Sequence, residues 1–98
     1  MRLKDDVRVR GISPEAIVAL IVIQELYAAR GYECMVTSIT DGDHMSGSHH
    51  HTGNAIDFRT VHVSRSGVEI IADEARVRLP GYDIVIEGDH LHVEYDPK

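Results

Sequence analysis

Apolar residues crowd positions 16–23, and within them Ile17, Leu20 and Ile21, continuing to Gln24 or Glu25, follow helical spacing while Val18, Val22 and Ile23 widen the apolar arc. The triplet Ser13-Pro14-Glu15 ahead of this run is a helix start. Serine can cap the first free amides, proline suits the first helical position, and an acid in the first turn faces the positive end of the helix dipole. Gly31 is the matching stop. The pattern predicts a helix over 14–30 that serves as the central core helix.

The period then shortens. Residues 33–38 alternate polar and apolar side chains with β-branched members and read as a strand. Residues 40–48, rich in Gly, Asp and Ser, read as an irregular loop. Over 54–60 the alternation puts Ala55, Asp57 and Arg59 on one face of a second strand and Ile56 and Phe58 on the other. Residues 61–65 form a connection, and 66–79 read as a second helix with Val68, Ile71, Ala75 and Leu79 as its apolar stripe, stopped by Pro80-Gly81. Two β-rich runs, 82–87 and 90–95, flank Gly88-Asp89 and predict a tight antiparallel hairpin. On the last strand His90, His92 and Glu94 share one face and Leu91, Val93 and Tyr95 the other. The expected architecture is α+β, a small antiparallel β-sheet backed by two α-helices, in one domain spanning 1–98, because 98 residues leave too little for a second core.

Composition narrows the class of partner. A hydrophobic fraction of 43% with 27% charged residues is ordinary for a globular chain. The formal net charge of -6 argues against nucleic acid or an anionic membrane, which are gripped by clustered Lys and Arg. The basic residues are scattered, with a loose group at Arg2, Lys4, Arg8 and Arg10. No signal-peptide pattern opens the chain and 16–23 is too short to span a bilayer, so the expectation is synthesis in the cytoplasm and no membrane partner. The single cysteine, Cys34, makes no internal disulfide and, with no basic neighbour, reads as a small buried hydrophobe.

Seven histidines are the unusual feature, five of them in His49-His50-His51 and His90-Leu91-His92. The first run is internal and leads into a patterned segment, unlike a purification tag. His50 and Asp57 stand seven positions apart with Gly53 between them, while Asp89 lies three before His92. Imidazole nitrogens and a carboxylate suit zinc, and three protein ligands leave a fourth position open for water, whose proton a nearby carboxylate such as Asp89 can accept. Spacing alone leaves a second reading open, in which the histidine loop is simply solvated and the aspartate caps a turn. A histidine face opposite an apolar face on the last strand favours ligands.

These residues resemble the zinc D-alanyl-D-alanine carboxypeptidases and phage cell-wall peptidases, grouped with lysostaphin-type enzymes and the hedgehog signalling domain. The signature S-x-H-x-x-G-x-A-x-D is filled by Ser48, His50, Gly53, Ala55 and Asp57, and the later acid and histidine by Asp89 and His92. The stretch 36–42 and Ser13-Pro14-Glu15 extend the resemblance over most of the chain. It implies a single zinc site with His50, Asp57 and His92 as ligands, Asp89 as general base, and His90 as a residue that stabilises the transition state. Many members carry an arginine before the first motif, which can hold a substrate carboxylate or the oxyanion. None occurs here between Gly31 and Arg59, so Arg59 is the candidate substitute, with a surface ion pair as its other reading.

The resemblance implies a zinc-dependent peptidase of peptidoglycan stem peptides, as a carboxypeptidase or an endopeptidase, and the expected state of the chain is a monomer. A phage lytic enzyme of this kind would act at the bacterial cell wall or periplasm. The competing reading is a non-catalytic zinc module of the same fold that binds protein or cell wall. A metal-dependent nuclease is disfavoured by the acidic balance. His49 and His51 read as solvated neighbours of the ligand and His44 as a loop residue. His62 receives no role. Tyr27, Tyr32, Tyr82 and Tyr95 read as core or rim residues.

Overall fold

The first helix begins where its cap signals place it. In the computed structural model, which describes residues 1–7, 9, 11–39 and 54–97, the Ser13 hydroxyl accepts from the Ala16 amide at 3.1 Å and starts α1 (Pro14–Ala29). Gly31 closes the helix at φ 79°, a backbone angle that a side-chain-bearing residue adopts only with strain. The second helix, α2 (Arg65–Arg78), starts one residue earlier than its apolar stripe suggests, because Ser64 caps it by accepting from the Gly67 amide at 3.0 Å.

Among the described residues five strands make one sheet: β1 (Arg2–Leu3), β2 (Met35–Ile39), β3 (Ala55–Arg59), β4 (Tyr82–Ile86) and β5 (His90–Tyr95), in the order β1-β2-β3-β5-β4. The class is α+β as expected, but the sheet is mixed. The expected antiparallel sheet gains a fifth strand, β1, which runs parallel to β2, with Arg2 beside Met35 and Leu3 beside Val36. Two residues carry no readable alternation, so β1 has no signature of its own and exists because the β2 edge offers it backbone partners, the Cys34 and Val36 carbonyls at 2.8 and 2.9 Å. The other pairings are antiparallel, including the β4–β5 hairpin, closed by the Glu87 amide donating to the His90 carbonyl at 2.8 Å.

Both helices pack on one face of this sheet. Val68, Ile71, Ala75 and Leu79 of the α2 segment are buried, as their spacing predicts, against strand residues Val36, Ile39, Ile56, Phe58, Ile84, Leu91 and Val93. Helix α1 is rotated relative to expectation. Its core face is Ala16, Ala19, Val22, Ile23, Leu26 and Tyr27, whereas Ile17, Val18 and Ile21 are about half exposed. The physical reason is that apolar residues surround this helix, so amphipathicity cannot orient it. Small Ala16 and Ala19 instead let its backbone approach the core closely. Arg78 bonds Glu25 at 2.6 Å and Arg30 stands 3.7 Å from Glu74, pinning the two helices antiparallel along their exposed rims.

A β-bulge in β2 lies next to the positions that matter for chemistry. Val36 pairs with Phe58 and Ser38 with Asp57, so Thr37 is the extra residue, and both Val36 and Ile39 can face the core. Cys34 is buried just before the strand, and burial pushes its thiol up to about 12, consistent with a small hydrophobe rather than a nucleophile.

Candidate functional site

Because β3 and β5 are antiparallel neighbours, residues far apart in sequence are set side by side. Asp57 pairs with His92, Arg59 with His90, and Ala55 with Glu94. Alternation sends Ile56, Phe58, Leu91 and Val93 into the core, so Asp57, Arg59, His90, His92 and Glu94 occupy the face turned away from the helices. This is the arrangement the sequence predicts for both strands.

The centre of that face is a histidine held between carboxylates. His92 Nδ1 lies 2.7 Å from Asp57 Oδ1, and His92 Nε2 lies 3.1 Å from Glu94 Oε1. The Asp57 hydrogen bond raises the imidazole to about 9 against the opposing effect of burial, with Glu94 adding to it. In this state both ring nitrogens donate.

A second histidine pair lies one register step away. His90 Nε2 stands 3.7 Å from Asp57 Oδ1 and 3.5 Å from Glu87 Oε1, while Nδ1 bonds Asp89 Oδ1 at 2.7 Å. Burial works against a charge on His90, but the Asp89 hydrogen bond with the Asp57 and Glu87 charges outweighs it, and His90 is raised. Asp89 is exposed, and the same hydrogen bond holds its carboxyl below the ordinary range. It is therefore ionised at neutral pH. The Asp89 carbonyl accepts from the Thr60 amide at 3.1 Å, which ties the hairpin turn to the end of β3.

Arg59 lies beside this pair. Together with Lys4, Thr37, Val61, Asp89 and His90 it lines a cavity of about 170 Å³. After the His90 hydrogen bond, the Arg59 charge also helps hold the Asp89 carboxylate in its ionised form, so Arg59 and Asp89 act on each other electrostatically across this cavity. A larger cavity of about 580 Å³ opens between the start of α2 and the β4–β5 turn, at Val63, Arg65, Glu69 and Glu87. It borders the histidine cluster only through Glu87, and the metal-ligating and titratable groups converge elsewhere, on the face shared by β3 and β5.

Of the three expected zinc ligands, Asp57 and His92 are brought together and His50 lies outside the described residues, as do His44, His49 and His51. Among the described residues no group of three His, Cys, Asp or Glu side chains is arranged to hold a metal ion. The donor chemistry of the pair nevertheless fits zinc, since a carboxylate oxygen and an imidazole nitrogen within bonding reach of each other are two of the three donors an open site needs. Among the described residues Glu94, Glu87 and Lys4 take part without a role assigned from sequence. The period-two alternation that paired Glu94 with the histidines was the available signal for the first, whereas Lys4 follows a strand too short to be read.

The remaining singled-out residues are structural. His62 Nε2 lies 2.7 Å from the Glu33 carbonyl, and its ring packs near Tyr27 and Tyr32. Tyr27 is buried and donates to the Arg59 carbonyl at 2.8 Å, and the Tyr82 and Tyr95 rings pack tilted at 57° with 4.9 Å between their centres. No helix of the described residues is long and apolar enough to cross a membrane. In comparison with known proteins, no family profile matches the chain and no curated protein is similar to it.

Proposed function

We propose that this protein is a zinc-dependent peptidase of peptidoglycan stem peptides, with Asp57, His92 and the motif histidine His50 as the residues that hold the ion. The observation that carries this reading is the Asp57–His92 pair, drawn to 2.7 Å from two strands by an in-register pairing. When bound, the ion would polarise the scissile carbonyl and acidify the attacking water. The chain's own residues account for the rest. Asp89, ionised and oriented by His90 through one carboxylate oxygen, keeps its other oxygen to take the proton from water and pass it to the leaving amine. His90, raised toward its cationic form, supplies positive charge where negative charge develops in the transition state. Arg59, on the same face, is suited to a substrate carboxylate or the oxyanion.

The second reading, a zinc module without catalysis, is favoured by one feature: His90 Nε2 stands 3.7 Å from Asp57 Oδ1, near enough to serve as a further ligand and close the site. Incubation of the protein with purified peptidoglycan fragments, with chelator or added zinc, and mass analysis of the products separates the two. Loss of a terminal D-alanine that chelator abolishes makes the protein a carboxypeptidase, and a cut within the stem makes it an endopeptidase. Asp89→Asn is expected to keep the metal and lower turnover by at least 100-fold, in line with the usual contribution of a general base. Unchanged fragments with zinc still bound would leave the binding module standing.

A further inference from the structure

Glu94 is a carboxylate in an expensive place. Its residue is 9% exposed, on a central strand, across from Ala55 on one side and Asp83 on the other. Removing a carboxylate from water costs several kcal/mol unless hydrogen bonds compensate. The small side chain of Ala55 leaves room for the longer glutamate to lie along the sheet face. Two residues along the strand from His92, Glu94 shares that face and reaches Nε2 at 3.1 Å.

Imidazole offers a metal one nitrogen and keeps the other for a hydrogen bond, and that second bond fixes the ring's tautomer and orientation. In His92 the two nitrogens have different neighbours. Nδ1 faces Asp57, itself a ligand candidate, and Nε2 faces Glu94. We infer that Glu94 is a positioning residue whose carboxylate takes the Nε2–H of His92 and so presents Nδ1 to the metal shared with Asp57. This rests on the zinc reading above. Glu94 then acts through His92 and touches neither metal nor substrate.

Zinc affinity of the full chain, Glu94→Gln and Glu94→Ala, measured by competition with a chromogenic chelator, tests the assignment together with long-range proton–nitrogen spectra of His92 in the zinc-loaded protein. Loss of such a partner weakens binding by about 10–100-fold. The expected result is a weakening of that size in Glu94→Ala, a smaller one in Glu94→Gln, which retains an acceptor oxygen, one zinc per chain at saturation in all three, and zinc on Nδ1. Circular dichroism checks that the variants fold, and if Glu94→Ala does not, Glu94→Gln and the wild-type spectrum decide. Equal affinity in all folded proteins, zinc on Nε2, or a glutamine variant as deficient in zinc as His92→Ala would overturn the assignment while leaving the zinc site intact. A wild-type chain that takes up no zinc would overturn both.

Discussion

His92 sits between an aspartate and a glutamate and, in the metal-free chain, carries a proton at neutral pH because the Asp57 hydrogen bond lifts it to about 9. The unfolded imidazole titrates near 6.5, so folding favours the protonated form. The stability this contributes is fully present below about pH 6.5 and is lost as pH rises through about 9, an effect on the order of 3 kcal/mol for a shift of that size. Denaturant midpoints of the chelator-treated protein should therefore fall between pH 6.5 and 9.5, and Asp57→Asn should flatten the profile. A wild-type midpoint that is level across this range would show that the pair does not share a proton as its geometry indicates. The same proton competes with zinc, which needs the neutral ring, so metal affinity should climb over the same interval.

At the scale of elements, α2 shows how a helix start can forbid the usual rule about glycine. A side-chain carbon at Gly67 would lie 2.9 Å from the Ser64 hydroxyl oxygen and 3.1 Å from a Val63 methyl. Alanine ordinarily stabilises a helix by about 1 kcal/mol over glycine, but here it would press on the hydroxyl that caps the helix. Gly67→Ala should thus bring no net gain in thermal or urea unfolding, because losing an N-cap, typically worth about 1 kcal/mol, offsets the propensity gained. A gain in stability would mean that Ser64 can move without losing its bond. The same element shows what sequence can and cannot state. The stripe Val68, Ile71, Ala75 and Leu79 was legible because polar residues surround it. The face of α1 was not, because Ile17, Val18 and Ile21 are as apolar as the residues that are buried. On the strands, alternation put Asp57 with Arg59 on one face of β3, and His90, His92 and Glu94 on one face of β5. It could not reveal that Asp57 stands opposite His92, since register comes from tertiary pairing across 35 positions. Nor could it find β1, which is made by its neighbour.

For the whole molecule, a bound ion that recognises only the folded chain adds to its stability by mass action. At a free zinc concentration about 100 times its dissociation constant the gain is about 2.7 kcal/mol, which for a domain near this size raises the melting temperature by roughly 10 °C or more. Thermal unfolding with and without zinc should show this rise and its loss on adding chelator, and a melting temperature indifferent to zinc would count against the metal reading. The strand order β1-β2-β3-β5-β4 carries a further consequence. The strands that hold Asp57 and His92 have neighbours on both sides, while the parts that can peel away first, β1 and β4, lie at the edges. Local fraying should leave the Asp57–His92 pair together, and the amides of β3 and β5 should exchange with deuterium only when the entire domain opens. A protease nicking the edges would meet a centre that is among the last parts of the molecule to come apart.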